Sequence, residues 1–144
     1  MGKSNLQVAV RNAMRLRIFN ANVISPQRFQ LPNTKFEKPS SGAWMRESIN
    51  EGSEEAMTNA AGREFAVVNY EIFCRSAFGT NETDEIVDAL RALFPVIGNA
   101  STVYNSGGQY AFVKSIDKPA GGIDGGDSIW YRRLVAITVA MYNP

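Results

Sequence analysis

The residues able to do chemistry are few. The chain has 144 residues, no histidine and one cysteine, Cys74, so both the commonest general base and the commonest transition-metal ligand are missing. A Ser-His-Asp triad and a Cys/His zinc site are excluded on composition alone. Cys74 sits within an alternating apolar stretch, a setting that raises a thiol's pKa and makes a core role far better supported than a nucleophile's. Glu82, Asp84 and Glu85 cluster where a helix begins, and the helix dipole accounts for them without a metal. The segment "GGIDGGD", Gly121 to Asp127, has the glycines of a phosphate cradle but neither the following helix nor the Lys-Ser/Thr pair. A calcium repeat would need further copies. It reads as a hairpin connection. No catalytic, cofactor-binding or metal-binding residue is assigned, and the expectation is a protein that is not an enzyme and takes no cofactor.

The lone cysteine cannot form an intramolecular disulfide, which favours a reducing compartment. The first nineteen residues interleave Lys3, Arg11, Arg15 and Arg17 with apolar positions and lack a signal peptide's apolar core. No stretch nears the ~20 apolar residues of a membrane span, so a soluble, cytoplasmic chain is expected.

Charge is balanced overall at +1 but unevenly placed. Residues 1–50 hold eight Lys/Arg against two Asp/Glu, residues 51–100 three against nine, and residues 101–144 four against three. Such asymmetry suits a basic arm for nucleic acid, or complementary surfaces between copies of one chain. Solvated helix faces explain any single cluster equally well.

These residues must be positioned by a modest set of elements. Leu6, Val10, Ala13, Met14 and Ile18 recur at helical spacing and predict an amphipathic helix over residues 5–19, with Arg11 and Arg15 on its other side. Residues 20–42 lack periodicity, and Pro26, Pro32 and Pro39 hold them extended as an arm whose Phe29, Leu31 and Phe36 can dock. "AWMRESIN" predicts a strand with Trp44, Arg46 and Ser48 on one face and Met45, Glu47 and Ile49 on the other. A polar loop, Asn50 to Gly62, leads to "REFAVVNYEIFCR", where Ala66, Val68, Tyr70, Ile72 and Cys74 oppose Phe65, Val67, Asn69, Glu71 and Phe73. A second helix spans residues 81–94, with Pro95 as its stop. Strands near Thr102 to Asn105, at "YAFVKSID" and at "IWYRRLVAITVAMY" complete the chain; in the last, Val135, Ile137, Val139 and Met141 face a core, while Arg132, Thr138 and Tyr142 face outward. The expected fold is a single α+β domain, with a mostly antiparallel or mixed sheet of four to five strands over residues 43–142 and helices packed on one face.

The order "LPNTKFEKPSSGAWMRESI", small-polar loop, "GREFAVVNYEIFCRSAFGT" and a helix ending "LRALF" resembles the tail terminator, or tail completion, proteins of phages with long, non-contractile tails. The resemblance spans about residues 5–142 and rests on Pro32, Asn33, Phe36, Trp44, Arg46, Gly62 and Trp130. The glycine-rich insertion before Trp130 and the cysteine in the long strand depart from the pattern. The resemblance implies a homo-oligomeric ring, usually of six copies, at the head-proximal end of the tail tube. Such a ring binds the tube protein, stops polymerisation and presents a face to the neck or head-completion proteins. DNA passes through it without specific binding, and the protein resides in the virion, after assembly in the host cytoplasm.

Within that frame, Arg11, Arg15, Pro32, Asn33, Phe36, Trp44 and Arg46 are the candidate arm and subunit-interface residues, and Glu51, Glu54, Glu55 and Asn59 the candidates for touching the tube or lining the lumen. The extended arm either braces a neighbouring subunit or packs only on its own domain. Three other readings stay open: a tail-tube subunit, a head-completion neck protein, and a nonspecific nucleic-acid-binding module built on the basic first helix.

Overall fold

A computed structural model describes residues 3–31, 35–37, 42–54, 62–75, 81–117, 122–123 and 130–143. Helix α1 spans Lys3–Asn20, strand β1 Phe29–Gln30, β2 Trp44–Glu54 and β3 Gly62–Arg75. Helix α2 spans Asn81–Leu93, followed by β4 Thr102–Ser106, β5 Gln109–Asp117, β6 Gly122–Ile123 and β7 Trp130–Asn143. The strands form one mixed sheet in the order β1-β2-β3-β7-β5-β4, with β6 paired to β7 beyond the end of β5. Only β1 runs parallel to its neighbour.

Alternation along β3 and β7 divides the sheet into two chemically different faces. Ala66, Val68, Tyr70, Ile72 and Cys74 of β3 join Val135, Ile137, Val139 and Met141 of β7 beneath both helices. Leu6, Val10, Met14 and Ile18 of α1, and Val87, Leu90 and Phe94 in and just after α2, complete this core. Their spacing is what lets each helix bury one stripe.

The helix ends have local causes. Asn22 adopts a left-handed backbone, φ 56°, while its N–H bonds to the Phe19 carbonyl and that of Val23 to Ile18. This is a Schellman closure, with asparagine where glycine is the usual choice. Helix α2 stops before Pro95, and Arg17 from α1 donates to the otherwise orphaned Leu93 carbonyl at 3.2 Å, as well as to Ala100 and Thr102. Burial pushes the Arg17 pKa down from its ordinary value, but its carbonyl partners are fixed dipoles that suit the cation.

Several expectations need correction. The sheet has seven strands among the described residues, not four to five. The extra ones, β1 and β6, are two residues long, too short for alternation to reveal. The loop expected over 50–62 is strand at both ends: β2 continues through Glu54 by a register shift after Glu51, and β3 begins at Gly62. The arm is not wholly irregular, since Pro26–Arg28 forms a 3-10 turn and leads into β1.

Arg15 does not lie on an outward-facing side. Its Nη2 meets Glu47 Oε1 at 2.5 Å and its Nε meets Oε2 at 3.3 Å, with the Glu47 side chain fully buried between helix and sheet. A bidentate guanidinium is the partner that a buried carboxylate needs. Arg15→Met should therefore cost roughly 3–5 kcal/mol by leaving Glu47 buried and unpaired, and pairing it with Glu47→Leu should recover most of the loss. Urea unfolding of the three chains checks this.

Candidate functional site

Among the described residues no helix lies on the other face of the sheet. Two aromatic groups occupy it. Near the start of β2, Phe36 from the arm packs on Trp44 with ring centroids 5.1 Å apart, and Trp44 stacks on Phe73 at 4.2 Å. On β5 and β7, Tyr142 stacks on Tyr110 at 4.7 Å and lies 5.9 Å from Phe112. Such cross-strand aromatic contacts stiffen a sheet by about 0.5–1.5 kcal/mol each beyond their area.

Charges are set among these rings. Glu71 accepts from Arg46 at 3.0 Å and from Arg132 at 2.7 Å, and the Arg46 guanidinium lies over the Phe73 ring. Lys114 sits 4.2 Å above the Phe65 ring. One carboxylate between two guanidiniums leaves the cluster net positive. It is also reachable: the Arg46 and Arg132 side chains are 42% and 47% exposed, and Tyr110 is 40% exposed.

The expected site residues fall into separate groups. Phe36, Trp44 and Arg46 come together on this face, as the strand's alternation required. Arg15 points to the opposite side, into its pair with Glu47, and Arg11 is half-buried one turn earlier, its Nε without a hydrogen-bond partner among the described residues. Glu51 and Glu54 belong to β2, at and beyond the register shift. Pro32, Asn33, Glu55 and Asn59 lie outside the described residues. Gly62 opens β3 opposite Asn143, and Trp130 opens β7 opposite Arg75.

Sequence reasoning missed the contribution of β5 to the uncovered face and the ion cluster on Glu71. Alternation put Glu71 on the strand face opposite Tyr70 and turned Arg132 outward, but nothing linear pairs them: they are sixty-one residues apart in the chain.

The arm docks on its own domain at two points. Phe29 is buried against Phe19 and Tyr70 on the helix side, whereas Phe36 packs on Trp44 on the opposite face. The chain returns through Gly42, whose φ of +82° suits glycine, and where an added Cβ would stand 2.6 Å from Arg28 Nη1. That arginine donates to the Ala43 carbonyl, while the Ala43 N–H donates to Glu82 at 2.7 Å. Glu82 is thus a tether for the arm, and Asp84 pairs with Arg133. Both carboxylates have structural employment, and no group of three or more potential metal ligands occurs among the described residues.

Cys74 is buried against α2, and burial raises its thiol pKa, with the Thr83 hydroxyl opposing the shift by a hydrogen bond. Tyr70, fully buried, is raised well above its ordinary value by desolvation and then by the nearby Glu47 charge, with Arg15 opposing. No helix among the described residues is long and apolar enough to cross a membrane.

No family model matches the chain, and no curated protein does. Nine solved chains match its fold. One of them, a protein whose designation says nothing of function, superposes with a TM-score of 0.62 at 21% identity over 94% of each chain. At that identity the likeness extends to the fold alone.

The two raised pKa values have the same sign: the folded state holds each proton more tightly than the unfolded one. Their contribution is complete below the unfolded values, near 9.0 for Cys74 and 10.0 for Tyr70, and is lost as pH rises from there toward the folded values. The urea midpoint should therefore hold between pH 7 and 8.5 and fall by pH 10. In Cys74→Ala/Tyr70→Phe that alkaline decline should be shallower.

Proposed function

We propose that this chain is a tail terminator protein of a phage with a long, non-contractile tail. It would act as a ring-forming structural component of the virion and not as an enzyme. The observation that carries the reading is the aromatic and charged sheet face that no described helix covers, on a chain whose order of features resembles that family. A face bearing Arg46, Arg132 and Tyr110 suits protein contact, because aromatics and arginine supply most of the binding energy of protein interfaces.

In this reading copies close into a ring, usually six, on the last ring of tail-tube protein, end its polymerisation and offer a surface to the neck. The connection across residues 55–61, with Glu51 and Glu54 on the strand leading into it and Glu55 and Asn59 within it, would meet the tube or line the bore. Negative charge in the bore keeps passing DNA from adhering. The rival built on a basic first helix loses support, since Arg15 is occupied by Glu47 and Arg17 by three backbone carbonyls.

Electron microscopy of lysates from the encoding phage, with and without this chain, tests the proposal. Its loss should give overlong tails detached from filled heads, and added protein should restore a uniform length. Tails of normal length without it would reject termination. Long tubes grown from the purified chain alone would identify a tube subunit instead.

A further inference from the structure

The proposed ring requires two different surfaces on each copy, and the structure contains two of opposite charge on opposite sides of the molecule. The outward side of α2 carries exposed Glu82, Glu85 and Asp88 against exposed Arg91, a net of −2 among those four. The uncovered sheet face carries Arg46, Lys114 and Arg132 against Glu71 and Asp117, the latter opposite Ala136, a net of +1 among those five. We infer that the acidic side of α2 in one copy docks on the cationic sheet face of the next. This inference rests on the ring reading and names its contact surfaces.

The whole chain supports a second copy as the occupant. Its net charge is only +1, so copies do not repel one another as wholes, while the two faces attract. The cations outnumber the carboxylates on their own face among the described residues, and two guanidiniums share the Glu71 carboxylate. Glu85 and Asp88 lie one turn apart on a helix whose apolar residues are already committed to the core. Because the two faces point away from each other, each contact leaves one unused face at either end, a heterologous arrangement that closes into a ring where the rotation between successive copies allows it and otherwise extends as a filament. The exposed Tyr110, beside Tyr142, supplies the apolar element of the cationic side.

Charge reversal gives a test with an internal rescue. Glu85→Lys/Asp88→Lys spoils only the acidic face, and Lys114→Glu/Arg132→Glu only the cationic one. Sedimentation velocity over a concentration series at low salt should show the wild-type chain forming closed oligomers, and each variant associating roughly a hundredfold more weakly. Mixing the two variants should restore association as rings of alternating copies, since each reversed face then meets its complement. Circular dichroism checks the fold of each chain. If Arg132→Glu disturbs the Glu71 cluster, Lys114→Glu with Arg132→Gln carries the same test.

Wild-type rings that persist in both variants would overturn the face assignment while leaving the ring reading intact. Loss in both without rescue on mixing would also overturn it, since complementary faces must rescue. A wild-type chain monomeric at every concentration, both alone and with purified tail tubes, would overturn the ring reading and this inference together. Should Lys114→Glu/Arg132→Glu abolish binding of a single-stranded oligonucleotide yet leave the rings unchanged, the sheet face belongs to nucleic acid and the inference fails.

Discussion

The continuous antiparallel pairing of β3 with β7, from Gly62 opposite Asn143 to Arg75 opposite Trp130, is the constraint on which the rest of the structure depends. Fourteen residues on each strand are locked in one register, and a slip of one would turn every core side chain outward. With the register fixed, one face is a field of Val, Ile, Ala and Tyr that must be covered, and α1 and α2 cover it. The other face receives Glu71, Phe73, Arg132 and Tyr142. The division between a helix-covered side and an uncovered side is therefore settled by this one pair of strands.

Polar side chains then join the layers at specific places. Arg15 carries charge into the helix–sheet interface to meet Glu47, Arg17 closes the end of α2, Arg133 reaches Asp84, and Arg28 with Glu82 holds both sides of the Ala43 peptide. Each satisfies a group that burial would otherwise penalise. Not every buried polar atom is matched: the Tyr70 hydroxyl, like the Nε atoms of Arg11 and Arg133, is buried with no hydrogen-bond partner among the described residues, and the Tyr70 ring supports Phe29 of the arm. Three of the eight basic residues of the first third, Arg15, Arg17 and Arg28, are thus consumed internally. The positive surface is assembled instead from Arg46, Lys114 and Arg132, which the sheet gathers from distant parts of the sequence.

This redistribution bears on function. A charge count along the chain set a basic first third against an acidic middle. In the structure the acidic residues Glu82, Glu85 and Asp88 of α2 are exposed, whereas Arg46, Lys114 and Arg132 gather on the sheet. The arm, whose prolines first suggested a brace, is anchored on its own domain by Phe29 on one face and Phe36 on the other, and its strand β1 pairs with Met45 and Arg46 at the start of β2.

What the sequence determined by itself is what depends on short-range periodicity and composition. The alternation in "REFAVVNYEIFCR" divided the residues of that strand between two faces, that in "LVAITVAMY" placed its core-facing residues, the stripe of α1 predicted which side of that helix is buried, and the lack of histidine removed the commonest catalytic designs. Only the tertiary structure decided the length of β2, the existence of β1 and β6, and the inward turn of Arg15. It alone joined Arg46 and Arg132 through Glu71. A two-residue strand has no period to read, and a long flexible arginine can face either way from the same helix position. Which way it faces is set by the carboxylate or carbonyl that folding brings within reach, and such partners lie tens of residues away in the chain.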